Sequence, residues 1–165
     1  FGVYSYCKHM ALNDQEKGRE ELNTWANEQS IREIYLRPFE IYSDMGGVGF
    51  MSSFNRIGDL WAGAHEGMLT NVARGEWGFH GVVVTDYVSG SYMDVAAGLR
   101  AGNDLWLDPN NTSRNAVTAY NKYPNDMTRL MKRSAKNILF ACAHSNNVWS
   151  DEDWAAVGLT NPNSK

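Results

Sequence analysis

The chain has 165 residues, 43% hydrophobic and 12% aromatic, with 6 Trp and 8 Tyr; that is enough to bury the core of one domain and too apolar for a disordered segment. Its 15 basic and 19 acidic residues give a formal net charge of -4, and no long Lys/Arg run supplies the concentrated positive charge that a nucleic-acid partner requires. No apolar run approaches the ~18 residues of a membrane span, so no membrane partner is expected. The chain's 2 cysteines, Cys7 and Cys142, make no disulfide framework.

The first ten residues, FGVYSYCKHM, lack a start methionine, a positive leader and a small-residue cleavage site. They read as an interior strand of a longer chain, which leaves localisation open. Val3 to Met10 is short, aromatic and β-prone, and is predicted as the first strand. Asn13 to Glu21 is polar and predicted to begin as a loop. Ile31, Ile34, Tyr35, Phe39 and Tyr42 recur at helical spacing. Ser30 followed by Glu33 fits a capping box for that helix, and Pro38 should kink or shorten it.

Val48 to Ser53 is the second strand, followed by a helix over Ala64 to Arg74. Gly75, Gly78 and Gly81 are hinge points before a third strand, Gly81 to Thr85, which ends at Asp86. Ser91 to Ala101 is predicted helical, with Gly102 as its stop. Asp104 to Leu107 is a fourth strand. A periodic helix runs from about Asn125 to Ala143, with Leu130, Met131, Ala135, Ile138, Leu139 and Cys142 as its buried stripe. After Ser150 the chain is polar, and residues 151–165 are predicted as a tail or linker. Asn110 and Asn111 head two overlapping Asn-x-Ser/Thr sites.

Strand and helix alternate about four times, and the strands are almost wholly apolar; both point to an α/β fold with a parallel sheet covered on both faces. An open doubly wound sheet and part of a (β/α)8 TIM-type barrel compete. A whole barrel takes roughly 250 residues, and the elements here make about half of one. No Gly-x-Gly-x-x-Gly follows a first strand, so a dinucleotide cofactor has no support, and no Cys-x-x-Cys, His-Glu-x-x-His or calcium-loop spacing suggests a metal.

Both parallel folds place active sites at the carboxyl ends of strands. Those ends carry Lys8 and His9, then Met51, Phe54, Asn55 and Arg56, then Asp86, then Asp104 or Asp108. Each has a plainer reading. Asp86 can cap the following helix, Lys8 and His9 can be a surface pair, Arg56 can form an ordinary ion pair, and Met51 can be core. Trp61, Trp77 and Trp106 are most simply packing. As a cluster, cationic Lys8 and hydrogen-bonding His9 can hold hydroxyl groups, while an ionised Asp86 can attack an electrophilic carbon.

Five segments carry a resemblance: CKHMALNDQEKGRE (Cys7 to Glu20), IREIYLRPFE (Ile31 to Glu40), GFMSSFNRI (Gly49 to Ile57), LTNVARGEWGFHGVVVTDY (Leu69 to Tyr87) and AAGLRAGNDLWL (Ala96 to Leu107). In this order they resemble glycoside hydrolase family 3, which includes β-glucosidases, β-xylosidases and related exo-acting enzymes. The resemblance implies that residues 1–150 are roughly the C-terminal half of the family's barrel domain. It implies Asp86 as the nucleophile of a retaining glycosidase, with a covalent glycosyl–enzyme intermediate. Lys8 and His9 would bind sugar hydroxyls, Met51 and Phe54 would line the subsite, and Arg56 and Asn55 would support it. Asn13, Glu16 and Arg19 read as structural support.

Phe54 stands where the family usually has tyrosine, which removes a hydroxyl able to reach the nucleophile. Tyr87 replaces a common tryptophan and Thr85 a common serine. The early strands and the α/β sandwich domain that usually supplies the acid/base glutamate are not among these segments, so no acid/base residue is named. Lys8-His9 runs into Met10-Ala11-Leu12-Asn13 without the proline and glycines of the family's β-N-acetylglucosaminidases, which leans toward glucosidase or xylosidase action. The resemblance thus implies a parent protein acting on a small saccharide or β-glucoside, no cofactor, and a 165-residue chain that is inactive alone. A carbohydrate-binding relative that has lost turnover is the alternative.

Overall fold

The computed structural model describes residues 4–108, 112–145, 150–156, 158 and 160. Strands β1 (Cys7–Met10), β3 (Gly49–Ser52), β6 (Val82–Tyr87) and β7 (Leu105–Leu107) form a four-stranded sheet in the order β1-β3-β6-β7. All three pairings are parallel. A small second sheet, ordered β2-β4-β5, is made by β2 (Asn23–Thr24), β4 (Arg56–Ile57) and β5 (Leu60–Trp61). Its β2 follows β1 in the chain, and its β4–β5 hairpin follows the carboxyl end of β3. The four long strands are those expected from sequence, while β2, β4 and β5 are too short to carry a period.

Helical segments link the strands. The first runs without a break through α1 (Glu28–Ser30), a π-helical stretch Ile31–Leu36 and α2 (Arg37–Asp44). It starts earlier than the sequence suggests: Asn27 is the cap, its side chain accepting from the Ser30 N–H at 2.8 Å, and Ser30 makes no capping bond. Pro38 does not end the helix. Having no N–H to give, it is accommodated by widening the turn ahead of it. A second π-helix, Gly67–Glu76, joins β3 to β6, and α3 (Val95–Ala101) joins β6 to β7. Gly102 ends α3 at φ 118°, a left-handed conformation that suits glycine.

Three helices follow: α4 (Thr112–Lys122), α5 (Pro124–Ala143) and α6 (Asp151–Ala156). The sequence reading missed α4 and left α6 in a polar tail. It also rotated α5. The buried side is Met127, Leu130 and Ser134, whereas Leu139 is 67% exposed and Ala135 and Cys142 are exposed too. The apolar stripe was placed correctly at Leu130 but extended along the wrong face, because polar Ser134 and Asn137 are the residues that meet the sheet's end. Both cysteines are free. Val3 and the two Asn-x-Ser/Thr asparagines lie outside the described residues.

Phe50 centres the main core. It stacks on Phe79 at 4.2 Å, meets Phe39 edge-on at 5.8 Å and touches Tyr42 at 5.6 Å. In-register pairing sets Phe50 beside Val83, so both face the helices, and alternation turns Met51 and Val84 to the opposite face. A Cβ on Gly81 would lie 2.2 Å from the Val48 carbonyl oxygen, so no side chain fits where β3 and β6 start together.

A polar hub sits below β6 and β7. Asp104 Oδ2 accepts from Arg74 at 2.7 Å and from the Val83 N–H at 3.0 Å, and Oδ1 accepts from Asn137 at 2.9 Å. Burial pushes the Asp104 pKa up, opposed by Arg74; burial pushes the Arg74 pKa down, opposed by Asp104. Asp104 thus starts β7 rather than closing it, and it leaves the list of strand-end candidates. Desolvation nearly offsets the attraction in such a pair, but an orphaned buried charge is costly. Arg74→Met should destabilise the fold by about 3–5 kcal/mol in urea titration, and Arg74→Met/Asp104→Leu by less than the two single changes summed.

Candidate functional site

The strand β6 ends at Asp86 and Tyr87. Helix α3 begins only at Val95, and its cap is Asp94, whose carboxylate accepts from the Ala97 N–H at 2.8 Å. Asp86 is therefore not a helix cap. One of its oxygens, Oδ1, accepts from the Tyr87 N–H at 2.8 Å, which fixes the carboxylate plane. The other, Oδ2, lies 3.0 Å from His9 Nε2 but is buried without a hydrogen-bond donor, because the ring N–H is not aimed at it. The contact is close and polar, with an unshared oxygen.

His9 comes from β1, two strands away. Its Lys8 neighbour pairs in register with Met51, and Met51 with Val84. Lys8, Met51 and the Asp86 strand thus share one level of the sheet. Burial lowers the His9 pKa, Asp86 opposes that, and Lys8 and Arg19 add to it. Burial thus favours the uncharged imidazole, a form that can both donate and accept a hydrogen bond.

Asn55, fully buried, holds the turn after β1. Its Nδ2 donates to the carbonyls of Ala11 at 3.2 Å and Leu12 at 3.1 Å. Ser53 adds a bond from its hydroxyl to the Ala11 carbonyl at 3.1 Å. Leu12 sits at φ 62°, a left-handed conformation that needs this support.

Phe54 is buried with Trp61 and Met93. The Arg19 guanidinium lies 4.3 Å from its ring centroid and pairs with Glu16 at 3.0 Å. Sequence reading left Arg19 as structural support; the structure sets its charge over Phe54 and within electrostatic reach of His9. The signal was its place in the loop after Lys8-His9, which must fold back over the strand ends. Arg56 donates to the Glu20 carbonyl at 2.9 Å and lies 4.8 Å from the Tyr92 ring centroid. No contact among the described residues brings it onto Asp86. Thr85, buried, accepts from the Leu107 N–H at 3.0 Å, so the hydroxyl that replaces serine is used.

A cavity of about 490 Å³ lies between the first helix and the π-helix Gly67–Glu76, lined by Ile31, Arg32, Leu36, Met68 and Val72. The His9–Asp86 pair lies outside it. Among the described residues no group of three or more His, Cys, Asp or Glu side chains could hold a metal ion, and no helix is long and apolar enough to cross a membrane.

Residues 1–138 match the family model described as the glycosyl hydrolase family 3 N terminal domain. The chain belongs to glycosyl hydrolase family 3. That match corrects one expectation: the segment is assigned to the family's N-terminal domain, and its description as a later, C-terminal part does not stand. Beta-glucosidase B of Emericella nidulans is 38% identical over 105 residues, 63% of this chain and 12% of that protein. An exo-alpha-(1->6)-L-arabinopyranosidase of Bifidobacterium breve is 36% identical over 119 residues, 72% of this chain and 16% of that protein. The structure of beta-glucosidase 3B from Thermotoga neapolitana in complex with glucose superimposes with a TM-score of 0.78 at 29% identity, covering 87% of this chain and 21% of that one. The chain therefore has the α/β fold of family 3 β-glucosidases and spans well under a quarter of these relatives' lengths.

The His9 electrostatics give a testable titration. With its folded pKa held below the ordinary value of about 6.5, the imidazole contributes full stability above that pH and loses it as pH falls toward the folded pKa. NMR titration should place the His9 midpoint below 6.5. In Asp86→Asn it should fall further, because the group that raises it is gone.

Proposed function

We propose that this chain carries the nucleophile side of a retaining β-glycosidase site, acting on terminal β-D-glucosyl or xylosyl residues within a larger protein. The observation that carries the reading is the buried, donor-free Oδ2 of Asp86 at the carboxyl end of β6, 3.0 Å from His9. In the first step Oδ2 attacks the anomeric carbon as the bond to the aglycone oxygen breaks. That oxygen takes a proton from an acid outside this chain. Water then cleaves the glycosyl–Asp86 ester with inversion, so configuration is retained overall.

Lys8 and neutral His9 bind hydroxyls of the reacting sugar, Met51 lines the subsite, and Phe54 forms its floor under Arg19. Arg56 supports the outer side through Tyr92. The four parallel strands are read as part of a (β/α)8 barrel spanning residues 1–150, with residues 151–165 leading out of it. The rest of the barrel and an α/β sandwich domain complete the site, and no metal or cofactor takes part. The identities to β-glucosidases support glucoside chemistry; the arabinopyranosidase relative is why the sugar itself is part of the proposal.

Phe54 favours a second reading. Its ring has no hydroxyl to offer Asp86 and is stacked under Arg19, which suits a sugar-binding relative that turns over weakly or not at all. Intact-mass analysis after incubation with a 2-fluoro-β-glucosyl inactivator separates the two. A longer protein holding this chain should gain one sugar, mapping to the peptide with Asp86, and Asp86→Ala should abolish the adduct and lower kcat by on the order of 10⁴-fold. Binding of glucose without labelling would leave the binder; neither binding nor labelling would remove both. The purified 165-residue chain should not hydrolyse an aryl β-glucoside.

A further inference from the structure

A parallel sheet is normally buried on both faces. Here the helices cover one of them. Trp106 of β7 turns toward that side: a Cβ on Gly98 of α3 would lie 2.8 Å from its ring. Alternation sends Leu105 and Leu107 the other way, and they remain 37% and 42% exposed. Register carries this second face across the whole sheet, because Leu105 pairs with Val84, Val84 with Met51 and Met51 with Lys8.

The edges have the same character. Among the described residues β1 and β7 are the outermost strands, and all four strands run in one direction. Outer strands and an exposed apolar face both invite association. On α2, which follows β1, Ile41 and the Met45 that ends the helix are exposed too. A helix laid on the face would leave the edges as they are. A single strand would take one edge and leave the face. A second copy of this chain meets every requirement. Its β7 offers β1 a neighbour of the right direction, its β1 does the same for β7, and the two uncovered faces turn onto one another. Two such sheets bring eight strands, the number at which the interior of a barrel is filled by side chains. A two-fold axis along the barrel makes the two seams identical.

We propose that the 165-residue chain associates as a two-fold dimer, in which the β1 edge of each copy pairs in parallel with the β7 edge of the other and closes an eight-stranded barrel. This rests on reading the four strands as half of a (β/α)8 barrel. Within a larger protein, further strands of the same chain would take these edges; without them a second copy does. Parallel pairing keeps the carboxyl ends of all the strands on one rim, so both His9–Asp86 contacts stand at the same mouth.

Sedimentation equilibrium of the 165-residue chain should give twice the chain mass, with a dissociation constant below about 10 µM. Its unfolding temperature should rise with protein concentration. Leu105→Glu/Leu107→Glu changes side chains that a single copy leaves exposed, and should weaken the dimer on the order of 100-fold while the helical circular dichroism signal is kept. Crosslinking reads the seam without disturbing the face. In a Cys7→Ser/Cys142→Ser background, a chain with Lys8→Cys mixed with one carrying Leu105→Cys or Leu107→Cys should form a disulfide between unlike copies on oxidation, and none of the three alone should. A chain that is monomeric at about 100 µM overturns the proposal; the half-barrel reading then stands, since 2-fluoro trapping in a longer protein does not depend on the dimer. A dimer unaffected by the two glutamates overturns it too. So do disulfides formed only between two Lys8→Cys copies, which would mean like edges joined into an open sheet and would count against the half-barrel reading as well. A dimer crosslinked between unlike edges, with no trapping in the longer protein, would sink the glycosidase reading alone.

Discussion

Asp104 does for this fold what a cofactor or disulfide does for others: it joins elements that are remote in sequence at one point. Its carboxylate takes an N–H from the start of β6, a guanidinium from the π-helix ahead of β6 and an amide from α5. The strand β7 begins one residue later. The height of β6 against β7 is therefore set at the lower end of the sheet. Asp86 is at the upper end of the same strand, so its position is the far consequence of a contact made at the near one. Neighbouring Asn103 extends the clamp, accepting from Ser52 at 3.1 Å and donating to the Gly63 carbonyl, which ties β3 into the same layer.

How much of this was legible varied with the kind of signal. Long apolar runs such as Val82–Val84 identified strands because nothing but a two-sided burial suits three valines in a row. Asp86 and His9 were singled out as candidates because the strand-end rule of parallel sheets reduces the search to a few positions, and the structure sets them 3.0 Å apart. What escaped had a different cause. The π-helical turns have no periodicity of their own; they follow from where Pro38 falls and from packing. The rotation of α5 was missed since Ser134 and Asn137 are polar and yet face inward, satisfied by Asn103 and Asp104. Asp104 itself was misplaced by one strand end, because a carboxylate beside a short strand carries no direction until the chain's register is known. The contact of Arg19 with Phe54 was illegible for the same reason that loops are hard: it depends on a backbone reversal at Gly18, φ 71°, and on a ring 35 positions ahead.

The site is organised by two kinds of restraint. Asn55 and Ser53 act on backbone and settle where Lys8 and His9 stand. Phe54 and Glu16 act on a side chain and settle where the Arg19 charge lies. The loss of a tyrosine hydroxyl at Phe54 is therefore not a simple deletion, since an aromatic face under a guanidinium keeps its attraction without the oxygen. Among the described residues the side chain nearest the free oxygen of Asp86 is the His9 imidazole, at 3.0 Å, while the Arg19 charge is held over Phe54 and on Glu16.

The sheet has one more property with a consequence for how the site is made. Among the described residues β1 is an outermost strand, with β3 on one side only. Lys8 and His9 are thus carried by an edge strand. A strand laid against that edge would order the segment bearing Lys8 and His9 and would wall the contact His9 makes with Asp86. Completion of the sheet and completion of the site would then be one event: a protein holding this segment would gain its pocket only on closing its fold, and any piece lacking the neighbouring strand would keep the residues without the enclosure.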